Sequence, residues 1–168
     1  MNNNVSIKGY IDVKVWDQEG KLKAHSLGKN LVTTEGDQYL VDRLSDTGLG
    51  TMSCMALGTT ATAPAKAQTW VQGPFTANGG ATVNSGGLDS GYPQTNSGTP
   101  ANLQYKSTWG TGYGTNSNIV EVVLSNASPT TGGSEPTGQI LSRGTFSGVN
   151  KGTGDTMAVT WDFVFLGS

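Results

Sequence analysis

The odd positions from Val5 to Val15 read Val5, Ile7, Gly9, Ile11, Val13 and Val15, while the even ones include Ser6, Lys8, Asp12 and Lys14. A period of two over so long a run sends alternate side chains to opposite faces of a strand, one toward a core and one toward solvent or a neighbour. Asp17-Gln18-Glu19-Gly20-Lys21 supplies turn chemistry, so Lys21 to Leu27 is expected to return as a hairpin partner. After Gly28 the period changes. Thr33 or Thr34 can cap a helix, Glu35 and Asp37 fill its first turn, and Leu40, Val41 and Leu44 fall on one helical face. This predicts one short helix, ended by Gly48 and Gly50, whose apolar face closes one end of a β core.

Met52 to Leu57 is a short apolar strand candidate, and Leu103, Tyr105, Ser107 and Trp109 restore the alternation later. Ile119 to Leu124 is apolar on both faces except at Glu121, as in a central strand, and Gln139 to Phe146 reads as a further strand. Thr156 to Leu166 sets Met157, Val159, Trp161, Phe163 and Phe165 against Thr156, Ala158, Thr160, Asp162 and Val164. It is the strongest strand pattern in the chain, and pairing it beside the N-terminal strand would put both in one sheet. Between Pro64 and about Leu103 breakers recur at Gly73-Pro74, Asn78-Gly79-Gly80, Ser85-Gly86-Gly87 and Thr99-Pro100. The same stretch keeps Trp70, Val71, Phe75, Val83, Leu88 and Tyr92, which predicts a partly ordered loop excursion over about 65–103. A loop so long usually has a job, often contact with a partner. About eight strands with very unequal connections suit an all-β, jelly-roll-like antiparallel β-sandwich with one short helix and long Gly-rich loops. We expect a single domain over 1–168 with a flexible N-terminal arm at 1–5.

Composition sharpens this class. Only 13% of residues are charged and 25 are glycine, which is neither membrane-like nor acidic and disordered. The net charge is −2 and the ten basic residues are scattered, so no basic stripe invites nucleic acid. Nowhere do about 20 apolar residues follow one another, so no membrane contact is expected. Met1-Asn2-Asn3-Asn4-Val5 lacks the positive and apolar regions of a signal peptide, which argues for a chain that is made in a cytoplasm. A lone Cys54 allows no intramolecular disulfide, so packing, with or without partner subunits, must hold the fold.

Little material for catalysis is present, and no enzyme, cofactor or metal is expected. The single His25 lies in the hairpin's return strand and reads as a surface imidazole. Cys54 has no basic neighbour to activate it and reads as a small core hydrophobe. A glycosidase needs only two carboxylates across a cleft. Asp17 with Glu19, Asp37 with Asp42, and Glu121, Asp155 or Asp162 are the candidates, and each has an ordinary structural reading. Asp-x-Asp runs for calcium are absent, and Gly110-Thr111-Gly112-Tyr113-Gly114 lacks the spacing and following helix of a nucleotide loop. The aromatics Trp109, Tyr113, Tyr92, Trp70 and Phe75 lie in or beside the Gly-rich loops, either as plugs into the core or as platforms for sugars or protein partners.

Three stretches together resemble small structural proteins of tailed bacteriophages. They are the hairpin turn at Asp17-Gln18-Glu19-Gly20-Lys21, then Lys29-Asn30-Leu31-Val32-Thr33-Thr34-Glu35-Gly36 entering a helix, then Ala56-Leu57-Gly58-Thr59-Thr60-Ala61-Thr62-Ala63-Pro64. They cover about the first third of the chain, which departs from the shortest such proteins by its long 65–103 insertion. The resemblance implies a virion protein made in the host cytoplasm. One placement is a capsid cement or decoration protein on the outer shell, a homotrimer that clamps neighbouring copies of the major capsid protein. The other is a tail, neck or fibre protein whose β module binds a host-surface glycan. Small size, no fibre-like repeats, no coiled-coil heptads and a polar N-terminal arm favour cement. The partner-binding candidates are then Asn2, Asn3, Asn4 and Val5 in the arm, with Phe75, Tyr92, Trp109 and Tyr113 in the loops.

Overall fold

The structure, a computed structural model, describes residues 5–46, 48–75, 85–98, 100–128 and 137–167. Among the described residues, nine strands and one helix follow in order: β1 Val5–Trp16, β2 Leu22–Val32, α1 Thr34–Leu44, β3 Cys54–Gly58, β4 Ser85–Gly87, β5 Gln94–Asn96, β6 Ala101–Trp109, β7 Asn116–Ser125, β8 Ile140–Lys151 and β9 Thr156–Gly167. They form one sheet in the order β4-β3-β7-β8-β2-β1-β9-β6-β5, with every neighbouring pair antiparallel. The all-β, jelly-roll-like sandwich expected from the alternation is the architecture found, built by curling a single sheet over on itself. The first hairpin and the pairing of the last strand against the first are also present, from Val5 opposite Gly167 to Trp16 opposite Thr156.

The fold line lies where β2 changes partner. Its residues from Leu22 to Lys29 pair with β1, whereas Gly28 to Val32 pair with β8. Beyond Phe146, β8 leaves β2 and continues beside β7 to Lys151. One layer is therefore β4-β3-β7-β8 and the other β2-β1-β9-β6-β5. Two glycines permit the tight crease. A Cβ on Gly28 would sit 2.6 Å from the Thr145 carbonyl oxygen, and one on Gly144 would sit 2.1 Å from Ile11 Cδ1 of the facing layer. The far edges are tied by two consecutive residues, Leu88 N–H donating to the Ser53 carbonyl (3.1 Å) and Asp89 N–H to that of Lys106 (2.8 Å).

Between the layers lies the main core. Ile11, Val13 and Val15 of β1 and Met157, Val159, Trp161 and Phe163 of β9 face Met55 and Leu57 of β3 and Ile119, Val122 and Leu124 of β7. Trp161 stacks on Phe163 (5.5 Å between centroids), and Tyr105 meets the Phe163 ring edge-on at 5.9 Å. At about 25 cal/mol per Å² of apolar surface removed from water, these aromatics are among the largest contributors to stability. Trp109 belongs to this core, at 2% exposed. The alternation of β6 turns Tyr105, Ser107 and Trp109 inward together, and Trp109 pairs with Met157. That corrects its reading as a partner-binding residue, since no partner can reach the ring.

Helix α1 forms as its caps predict. The Thr33 Oγ1 accepts from Gly36 N–H (3.0 Å) and donates to the Ile140 carbonyl (2.9 Å), which fixes the helix start on β8. Gly36 lies so close to β8 that a Cβ there would come 2.0 Å from the Leu141 carbonyl oxygen. This contact sets the helix rotation. Gly36 and Tyr39 are buried and Leu40 is half-buried, whereas Val41 and Leu44 are exposed, so the buried side differs from the expected Leu40, Val41 and Leu44 face. Positive φ at Asp46 and Gly48 turns the chain away after the helix.

Candidate partner-binding face

The outer faces of the two layers differ. Over β3, β7 and β8 lie residues 59–74, with Trp70 and Val71 packed on Ala56, Val123 and Ile140. Beneath them Glu121 and Arg143 are both fully buried, with Arg143 Nη2 2.6 Å and Nε 2.8 Å from Glu121 Oε2. The Glu121 carboxylate also accepts from the backbone N–H groups of Thr60 (3.1 Å), Gln72 (3.1 Å) and Gly73 (2.7 Å). Arg143 donates to the carbonyls of Thr62 (2.9 Å) and Thr60 (3.2 Å) and to Gln68 Oε1 (3.1 Å). An ion pair out of water is tolerated only when its remaining hydrogen-bonding capacity is filled, and here the loop backbone fills it. The first part of the expected 65–103 excursion is thus fastened to the sheet. Its later part contains β4 and β5.

Over β2-β1-β9-β6-β5 no described segment lies across the central rows, and register gives the surface directly. One row across the five strands is Lys29, Tyr10, Asp162, Gln104 and Gln94. The next is Leu27, Asp12, Thr160 and Lys106. Residues paired in register point to the same side, so Tyr10 (50% exposed) and Leu27 (69%) stand on one face beside amides and hydroxyls. Its charges are matched locally. Asp12 lies 2.7 Å from Lys14 Nζ and 2.9 Å from His25 Nε2, Gln104 donates to Asp162 (2.8 Å), and Asp89 lies 3.5 Å from Lys106 Nζ and accepts from Thr108 (2.7 Å). A shallow hollow of about 220 Å³ lies between Trp16 and Tyr92, floored by Ala158 and Thr160, and Lys106 Nζ sits 5.9 Å from the Tyr92 ring centroid. Such a face suits hydrogen-bonded, hydrated contacts around a few apolar anchors.

At one end of the sandwich the β8–β9 turn binds its neighbours. Lys151 is fully buried and its ammonium donates to the carbonyls of Gly110 (2.8 Å) and Asp155 (2.7 Å), while Gly112 N–H donates to Thr153 (2.7 Å). Burial pushes Lys151 below its ordinary value, and the Lys23 ammonium, 2.5 Å away, holds the Asp155 carboxyl below its own. The Gly110 to Gly114 loop is therefore a fastened turn with Tyr113 projecting from it, 59% exposed. Cys54 is fully buried, with a thiol that burial raises to about 11 and that donates to the Ala127 carbonyl (3.1 Å).

The candidate residues from sequence do not converge. Tyr92 reaches the bare face, Tyr113 stands at the turn end, Phe75 packs against the core, and Trp109 is inside it. Val5 opens β1 opposite Gly167, while Asn2, Asn3 and Asn4 lie outside the described residues. Tyr10, Trp16 and Leu27 escaped notice, although the polar side of the first alternating run already held Tyr10 and Trp16. Residues 29–36 and 56–64 both meet β8: Asn30 and Ser142 Oγ are hydrogen-bonded (2.5 Å), Ser142 donates to Leu31 (2.7 Å), Ile140 N–H donates to Glu35 (3.2 Å), and Thr60 and Thr62 bind Arg143. No family model, curated protein or solved structure matches the chain.

Proposed function

We propose that this chain is a structural protein of a tailed-phage virion, a capsid decoration subunit that binds neighbouring copies of the major capsid protein. The observation that carries the reading is the five-stranded layer's outer face, a broad surface that no described segment covers, whereas residues 59–74 cover the other face. Its locally matched charges and exposed Tyr10 and Leu27 fit a hydrated interface with aromatic and aliphatic anchors. The sequence resemblance supplies the viral setting and the expectation of a homotrimer. Each subunit then adds modest area, and a closed trimer touching several shell subunits gains effective concentration, so weak contacts sum to a firm clamp. Quantitative mass spectrometry of purified particles tests this: the reading expects a copy number comparable with the shell protein, and absence from the particle would remove it.

A second reading is favoured by the hollow between Trp16 and Tyr92, where two aromatic side chains flank Asp12, Lys14 and Thr160, as a saccharide subsite requires. It places the chain at the tail, with a few copies per particle. Glycan binding lost in Trp16→Ala, with folding intact, would support it.

A further inference from the structure

Beneath α1, at the end of the sandwich away from Lys151, lies a cavity of about 230 Å³ between the helix and strands β1, β6, β8 and β9. Its walls are mainly Ile7, Leu103, Leu141, Phe163 and Phe165. Three polar groups also line it. Tyr39 and Tyr105 are 6% and 5% exposed, and both line the cavity. Arg43 follows Tyr39 by one helical turn, and its guanidinium is anchored through Nη1 to the Leu49 carbonyl (2.7 Å). The three are electrostatic neighbours, since both Tyr39 and the Arg43 charge are felt at the Tyr105 phenol.

A ligand head in the cavity takes the place of water at these donors. Burial raises the Tyr105 phenol well above its ordinary value, so it stays protonated and able to donate at neutral pH. Two phenolic donors beside a guanidinium match the two oxygens of a carboxylate. The volume exceeds the roughly 150 Å³ apolar cavity that takes up benzene, so several methylenes fit. We infer that this cavity binds a free medium-chain monocarboxylate, its head on Arg43, Tyr39 and Tyr105 and its alkyl chain among Leu103, Phe163 and Phe165. The site is separate from the bare sheet face and stands whether or not the chain decorates a capsid.

Titration of the full-length chain with sodium octanoate, followed by calorimetry and by NMR, tests the inference. The expected result is saturable one-to-one binding, with contacts from the octanoate methyl to the Phe163 and Phe165 rings. Arg43→Gln should weaken it about tenfold or more, the loss of a charge-assisted hydrogen bond. Because Arg43 also holds Leu49, the double variant Tyr39→Phe/Tyr105→Phe, which removes only two oxygens, provides an independent check and should also weaken binding. Absence of saturable octanoate binding, affinity for 1-octanol equal to that for octanoate, or unchanged binding in the tyrosine double variant would overturn the assignment. Cosedimentation with phosphatidylglycerol vesicles that is lost in Tyr39→Phe/Tyr105→Phe, without saturable binding of free octanoate, would assign the cavity to lipid and overturn the free carboxylate.

Discussion

The two layers share one core and treat their outer faces in opposite ways. On β3-β7-β8 a loop covers the sheet, and Glu121 and Arg143 satisfy the loop's backbone while neutralising each other. On β2-β1-β9-β6 the strands present Lys29, Tyr10, Asp162 and Gln104 in a row that no described segment covers. An irregular segment buried against a sheet needs internal partners for its N–H and C=O groups, and a buried ion pair is a compact source of both. An uncovered sheet face needs none, because water serves. Among the described residues, the chain thus covers one outer face and leaves the other to water.

The largest effect is expected from splitting the buried pair. Arg143→Met leaves Glu121 charged and unpaired, which should cost about 3–5 kcal/mol in denaturant unfolding. The double variant Glu121→Leu/Arg143→Met should recover most of that loss yet release residues 59–74 to early proteolysis. Equal destabilisation of the single and double variants would contradict the clamp role. Next comes the crease: Gly144→Val drives a side chain into Ile11 and the Lys29 carbonyl, and should cost about 1–3 kcal/mol.

A smaller effect belongs to the turn end. The folded state lowers the Asp155 pKa from 3.8, so it binds fewer protons there than the unfolded chain. This contribution is therefore complete above the ordinary carboxylate range and is lost as pH falls through the lowered folded value. Thermal unfolding between pH 6 and pH 2 should show a shallower acid loss in Asp155→Asn than in the native chain. The smallest effect on stability is expected at the bare face, where Tyr10→Ser and Leu27→Ser should each stay within about 0.5 kcal/mol. A large loss there would mean that the face supports the fold rather than a partner.

The hairpin, the helix cap and the last strand were legible because each depends on local periodicity or one capping residue: alternation in β1 and β9, and Thr33 before α1. The helix's buried side was not, because it follows from the approach of Gly36 to Leu141, a contact across more than 100 residues. Trp109 was misread for a similar reason, since its loop-end position hides that β6 pairs it with Met157. Glu121 interrupts an apolar run, but its partner Arg143 lies on another strand and nothing local links them. The five-stranded face was half visible as the polar side of β1; that no described segment covers it depends on where the 59–74 loop goes.

The most direct test of the account is cosedimentation of the purified chain with capsid shells lacking it, comparing the native protein with Tyr10→Glu/Leu27→Glu. The account predicts that the native chain pellets at a copy number comparable with the shell protein, while the folded double variant stays in the supernatant. Pelleting of the variant to the same extent as the native chain would contradict the assignment of the five-stranded face as the binding surface.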